Sequence, residues 1–196
     1  MLYATVLAGG LSSRMGQNKA FLRLSGLTLL DHAINLLKSA SADPVLISGE
    51  VAGKHSVPDL LPQCGPPGGL YSILDFIRNT SGLDGSALIL IPVDMPLLKL
   101  RTIQQLVELG TNASCCHFEN EVFPCVFKTT TELYCHLKDL FAEGTELGGH
   151  RSMKAIFKYC AAKVIPIATE QLGEFRNVNT AEDWKQITQL SKKTLP

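Results

Sequence analysis

An α/β chain with a mainly parallel sheet between two helical layers is predicted by three features of the sequence. Strand-like and helix-like segments alternate through residue 109, the pattern of right-handed βαβ units. Ala87-Leu88-Ile89-Leu90-Ile91 is an unbroken apolar run, as in a parallel strand covered on both faces. Glycine and Asp-x-Pro punctuation falls directly after strand-like runs, at Gly9-Gly10 and at Asp94-Met95-Pro96. These features describe a three-layer, Rossmann-like fold, with a small antiparallel element in the second half. The 196 residues are read as one domain over 1–190 and a frayed tail over 191–196.

Each element follows from local pattern. Tyr3–Ala8 is a short apolar run stopped by Gly9-Gly10, a buried strand followed by a polar loop over 11–19. Thr28–Ala40 carries Leu29, Leu30, Ala33, Ile34, Leu36 and Leu37 at helical spacing. Pro44–Ile47 is a second strand ended by Ser48-Gly49, and a short third is expected before Pro58. Cys64-Gly65-Pro66-Pro67-Gly68-Gly69 stacks the strongest backbone punctuators and is expected to be irregular. Leu70–Arg78 is helical, Ser86–Val93 is the central strand, and Arg101–Leu109 is a helix with Gly110 as its stop. Ala113–Phe118 and Glu121–Lys128 form the antiparallel pair. Thr131–Ala142 and Ser152–Tyr159 are helices and Lys163–Ile167 is a late strand. Thr180 to Asp183 is a capping-box pattern that opens a last helix ending near Leu190.

Composition narrows the function. Apolar residues make up 45%, enough for a real core. Lys plus Arg and Asp plus Glu are 18 each, so the net charge of zero offers no basic footprint for a nucleic-acid partner. No apolar run approaches the roughly 18 residues of a membrane span, and the N-terminus lacks the basic start of a signal peptide. The six cysteines include no CxxC pair and the five histidines no ligand spacing. A cytoplasmic protein with reduced thiols is expected.

In parallel sheets ligands bind beyond the carboxyl ends of the strands, which directs attention to two motifs. In Leu7-Ala8-Gly9-Gly10-Leu11-Ser12-Ser13-Arg14-Met15-Gly16-Gln17-Asn18-Lys19 the glycines permit close approach of backbone to ligand. The amides of such a loop can cradle phosphate oxygens, and Arg14 and Lys19 add positive charge. The segment is neither a Walker A loop nor GxGxxG. A plain strand-to-helix turn with two solvated cations has the same spacing. Asp94, closing the central strand, offers a hard oxygen to Mg²⁺, which commonly uses one or two carboxylates plus substrate phosphates. An Asp there also serves as a simple helix cap.

The first motif as a whole resembles the Leu-Ala-Gly-Gly, Arg-Met-Gly, Lys signature of nucleotidyltransferases with a nucleotide-diphospho-sugar-transferase fold. Asp94-Met95-Pro96 matches its second hallmark. Gly65-Pro66-Pro67-Gly68-Gly69 resembles the Gly-Pro-x-x-Gly segment of the molybdenum cofactor guanylyltransferases, and Asn177-Val178-Asn179-Thr180 resembles their Asn-x-Asn-Thr. The resemblance spans residues 5 to about 190 and implies GMP transfer from GTP to Mo-molybdopterin with release of pyrophosphate. It implies Mg²⁺ as cofactor, held by Asp94, with Lys19, Arg14 and Asp94 catalytic. Nucleotide contacts are implied for Leu7, Ala8, Gly9, Gly10, Lys19, Asp59, Gly65, Pro66, Gly69 and Asp94. Pterin-side contacts are implied for Pro124, Arg151, Asn177 and Asn179. Protein partners would be other molybdenum cofactor biosynthesis proteins and the chaperones of recipient oxidoreductases, with no nucleic acid and no membrane. Asn18 stands where relatives often carry an acid. The residues themselves leave other readings open. Asp59 and Arg151 also fit solvated loops, and Asn179 fits a structural residue before the Thr180 cap. Other functions on the same motifs are cytidylyl transfer, sugar-phosphate nucleotidyl transfer and nucleotide binding without catalysis.

Overall fold

The computed structural model describes residues 1–9, 18–83, 85–110, 112–142 and 151–194. In chain order the elements are β1 (Leu2–Leu7), the ribbon strands β2 (Arg23–Leu24) and β3 (Leu27–Thr28), α1 (Leu29–Ser39) and β4 (Val45–Ser48). Next come α2 (Gly65–Thr80), β5 (Ala87–Pro92), α3 (Leu100–Gly110), β6 (Cys115–Phe118) and β7 (Cys125–Lys128). The chain closes with α4 (Thr131–Ala142), α5 (Met153–Tyr159), β8 (Lys163–Ile165) and α6 (Ala181–Thr194). Among the described residues no helix is long and apolar enough to cross a membrane.

The main sheet has the order β4-β1-β5-β7-β6-β8. β1 pairs in parallel with β4 and β5, and β6 in parallel with β8. β7 is antiparallel to both β5 and β6, so it alone runs against the rest. Leu7 is level with Ser48 on one side and with Pro92 on the other. The carboxyl ends of β1, β4 and β5 therefore open onto one edge, where the two sequence motifs lie.

Period-2 alternation sorts the strand side chains into two cores. Ala4, Val6, Ile89 and Ile91 face the layer built on α1 and α3, with Leu29, Leu30, Leu37, Ile103 and Leu106. Tyr3, Leu88 and Leu90 face the layer of α2, α4 and α5, with Leu70, Ile73, Leu74, Leu137 and Ile156. Leu88, Ile89 and Leu90 of β5 are fully buried, which is why this strand reads as an unbroken apolar run.

Several expectations need correction. Gly65–Gly69 is not irregular; it is the first turn of α2. Proline has no N–H to donate, and the first-turn amides of a helix have no partner to lose, so Pro66 and Pro67 suit that position. The ribbon β2–β3 and two 3-10 segments, Lys19–Phe21 and Thr169–Phe175, are additional elements. Glu121–Pro124 lies outside the strand, which begins at Cys125. The strand expected before Pro58 is a single bridge between Ser48 and Val57. β8 stops at Ile165, and α6 continues to Thr194 where a frayed tail was expected.

Candidate active site

The open edge of the sheet carries a cleft of about 370 Å³. Its walls are built from three distant parts of the chain: Leu7 at the end of β1 with Ala8 and Gly9 after it, Asp94 after β5, and Asn177 and Asn179 before α6. Asn18, Lys19, Pro66 and Phe123 line it too, with Pro92 and Val93 ahead of Asp94.

Backbone bonds hold these parts in register. The β1–β5 pairing is prolonged by Val93 N–H donating to Leu7 O (3.1 Å). Val178 N–H donates to Asp94 O (2.8 Å), drawing the chain before α6 against the end of β5. Val178 is buried and its neighbours Asn177 and Asn179 are exposed, so both amides project from one face of the extended segment into the cleft.

Lys19 stands at the centre. Its Nζ donates to Asp94 Oδ2 (3.0 Å) and to Asn179 Oδ1 (2.8 Å). Side-chain exposures of 18% for Lys19 and 20% for Asp94 leave both groups reachable. An Asx-type contact, Ala20 N–H to Asn18 Oδ1 (2.9 Å), starts the 3-10 turn that carries the lysine. One hard carboxylate open to a cleft fits Mg²⁺ shared with phosphate oxygens.

At β4, Ser48 O accepts from both Ala8 N–H (3.0 Å) and Gly9 N–H (3.1 Å). Those two amides are thus committed within the fold rather than facing an open phosphate cradle, contrary to the expectation for this part of the loop. Gly49 has φ +92°, and a Cβ on it would fall 2.6 Å from Gly9 Cα, so the two backbones touch. Asp59 lies beside this contact. Its Oδ1 accepts from Ser48 Oγ (3.5 Å), and its Oδ2 is 3.4 Å from the place a Gly9 Cβ would take. Loss of solvent around the carboxyl raises its pKa, against a smaller lowering by the Ser48 hydroxyl.

The other expected residues divide. Pro66 lines the cleft, which brings the amino end of α2, and its partial positive charge, to the site. Gly65 turns the chain into α2 and is exposed. Gly69 is buried beneath the cleft, where a Cβ would lie 2.7 Å from Ser48 Oγ and 3.3 Å from Leu7 Cδ2. Phe123, not Pro124, reaches the cleft, and Pro124 is buried behind it. Arg151 is not among the lining residues; its guanidinium lies 5.6 Å over the Phe141 ring. Gly10 and Arg14 fall outside the described residues. Phe123 and Asn18 had only weak signals in the sequence: an aromatic beside a proline within the segment read as the strand Glu121–Lys128, and an amide beside the lysine.

The profile of the MobA-like NTP transferase domain matches residues 4–164. The chain belongs to this family. Its sequence is 32% identical over 182 residues to a molybdenum cofactor guanylyltransferase of Xanthomonas euvesicatoria, covering 93% of this chain and 92% of the relative. Another molybdenum cofactor guanylyltransferase, from Rhizobium meliloti, is 30% identical over 202 residues, covering 93% and 88%. The fold is similar to molybdopterin-guanine dinucleotide biosynthesis protein A of Archaeoglobus fulgidus, with TM-score 0.74 at 17% identity over 98% of this chain and 100% of the other. It is also similar to 4-diphosphocytidyl-2C-methyl-D-erythritol synthase of Anaerococcus prevotii, with TM-score 0.68 at 9% identity over 97% and 96%. Membership in the family makes the protein a nucleotidyltransferase.

Proposed function

We propose that this MobA-like protein transfers GMP from GTP to the terminal phosphate of Mo-molybdopterin. The acceptor phosphate oxygen forms a bond to the α-phosphorus, the bond from that phosphorus to the β-phosphate oxygen breaks, and pyrophosphate leaves. The attacking phosphate is already an anion, so no side chain need remove a proton. Lys19 neutralises charge on the triphosphate, and Arg14 belongs to the same loop. Asp94 is the residue to hold Mg²⁺, which when bound supplies further charge neutralisation. Pro66 and the amino end of α2, with Asp59 near Gly9, form the nucleotide side. Asn177 and Asn179 offer two amides to a polar heterocycle on the acceptor side. Positioning and electrostatics carry such a reaction.

The observation that supports this reading is the bridge from Lys19 to both Asp94 and Asn179, a cation held between a carboxylate and an amide at one cleft. The test is pyrophosphate release from GTP, CTP, ATP and UTP with and without molybdopterin. Release is expected with GTP only, and only when acceptor is present, because a site that pairs with a base edge rejects bases that leave its groups unpaired. Preference for CTP would place the protein on a cytidylyl branch. Asp94→Asn should lower turnover by orders of magnitude with little change in melting temperature.

A further inference from the structure

Glu174 is the one buried charged residue among the described residues, with 3% of its surface exposed. The cleft does not use it, and a buried carboxylate is costly unless it is well paired. It is paired. Its Oε2 accepts from Lys99 N–H (3.3 Å) and from Thr102 Oγ1, and its Oε1 accepts from Arg101 Nη2 (3.0 Å). Lys99 Nζ stands 3.7 Å away. Gln171 extends the network, donating from Nε2 to Thr102 Oγ1 (3.3 Å) and to Gln105 Oε1 (3.0 Å). The 3-10 segment Thr169–Phe175 is thereby fastened to the first turn of α3.

The sites it fastens are those flanking the cleft. Asp94 lies five residues before Lys99, and Asn177 and Asn179 lie three and five residues after Glu174. The bond from Val178 N–H to Asp94 O is a second tie between the same two segments. Two ties, one on each side of the buried Phe175, close a short loop of backbone. Asp94 is independently fixed by the sheet through Val93 and Leu7. The segment bearing the asparagines is not in the sheet; core burial of Phe175 and Val178 and the bonds of Asn179 and Thr180 N–H to Asp183 also hold it, and these two ties are what join it to the end of β5 and the start of α3. We infer that Glu174 is a positioning residue: its carboxylate, clamped on the α3 first turn, sets where Asn177 and Asn179 stand relative to Asp94 and so tunes use of the acceptor. This inference rests on the acceptor role proposed for the asparagines.

The test uses Glu174→Gln, Arg101→Met, Arg101→Lys and Asn177→Ala in the full chain. GTP affinity is measured by calorimetry, KM for molybdopterin from pyrophosphate release, and stability by thermal melting. Arg101 is half exposed, so its variants fold even where Glu174→Gln does not. Arg101→Met removes the nearer of the two cations at the buried carboxylate, leaving Lys99 Nζ at 3.7 Å, and Arg101→Lys restores a second. Glu174→Gln and Arg101→Met should each raise the acceptor KM on the order of tenfold, within the reach of an ångström-scale misplacement. GTP affinity should stay within about twofold, because the Lys19 side chain can follow a displaced Asn179 whereas an alanine there offers it no acceptor, and Arg101→Lys should return the acceptor KM to near normal. A lower melting temperature with equal loss of both ligands, or an unchanged acceptor KM in Arg101→Met, overturns the inference. Asn177→Ala separates it from the underlying reading. If Asn177→Ala raises the acceptor KM and the clamp variants do not, only the clamp fails. If Asn177→Ala has no effect, the acceptor assignment fails and takes the clamp with it.

Discussion

Lys19 is bonded to groups 75 and 160 residues away in sequence. That geometry alters what the two asparagines should do when removed. Asn177 lines the cleft, and Asn179 Oδ1 accepts directly from Lys19 Nζ. Asn177→Ala is therefore expected to raise the acceptor KM by a few-fold to tenfold, the cost of about 0.5–1.5 kcal/mol for one hydrogen bond, and to leave GTP affinity unchanged. Asn179→Ala should move both. Calorimetry with GTP on the two variants decides the matter: unchanged GTP affinity in Asn179→Ala would show that the amide and the lysine act independently. Asp59 gives a second prediction at this scale. Its pKa is raised by desolvation, so the folded chain holds this proton more tightly than the unfolded chain. Stability from this group grows as pH falls through that range and is lost above it. At neutral pH the charge opposes folding, and Asp59→Asn should raise the melting temperature. If the carboxylate contacts nucleotide, the same variant should weaken GTP binding, the pattern of a group kept for function at the expense of stability.

Helix α3 shows how an element is fixed by one residue. Gly110 reads in sequence as a helix stop. In the fold it is also a contact point, since a Cβ there would fall 2.4 Å from Val126 Cγ1 and 3.2 Å from Cys116 Cβ. Alanine favours helices over glycine by up to about 1 kcal/mol. Val126 is buried and β-branched, so it cannot rotate away cheaply. Overpacking of about 1–3 kcal/mol should win. Gly110→Ala is expected to lower the urea midpoint with an unchanged slope. A higher midpoint would mean that the α3 end has room to shift from β6 and β7. Helix α2 makes the complementary point. Its Gly-Pro-Pro-Gly-Gly start looks like a loop by composition, yet the prolines occupy positions where an N–H is dispensable, and Gly69 allows the helix to approach Ser48 and Leu7.

For the whole molecule, the cleft joins segments from both ends of the chain, so a ligand that fills it should stabilise the fold globally. A nucleotide bound only by the folded state at about 100 times its Kd adds about 2.7 kcal/mol. For a chain of this size that is roughly 5–10 °C in melting temperature. GTP with Mg²⁺ should produce such a shift, CTP a smaller one, and Asp94→Asn should remove the part that depends on Mg²⁺. Equal shifts for GTP and CTP would remove the argument for guanine selectivity.

Local pattern by itself determined the layered α/β architecture, the central strand read as Ser86–Val93, and the strand ends at which the glycine loop and Asp94 lie. Those features are periodic or punctuated over a few residues, and the physics that produces them acts over the same few residues. The alternation of Asn177, Val178 and Asn179 is of this kind, and so is the double burial of β5. Only the tertiary structure decided the rest. It joined the asparagines to those strand ends through the bond from Val178 N–H to Asp94 O. It assigned the Ala8 and Gly9 amides to Ser48 O, brought Phe123 rather than Pro124 into the wall, and stacked Arg151 on Phe141. It gave Glu174 its partners on α3. Each of these is a choice among partners far apart in the chain, settled by which atoms the packed layers bring within bonding distance, and no local spacing encodes that choice.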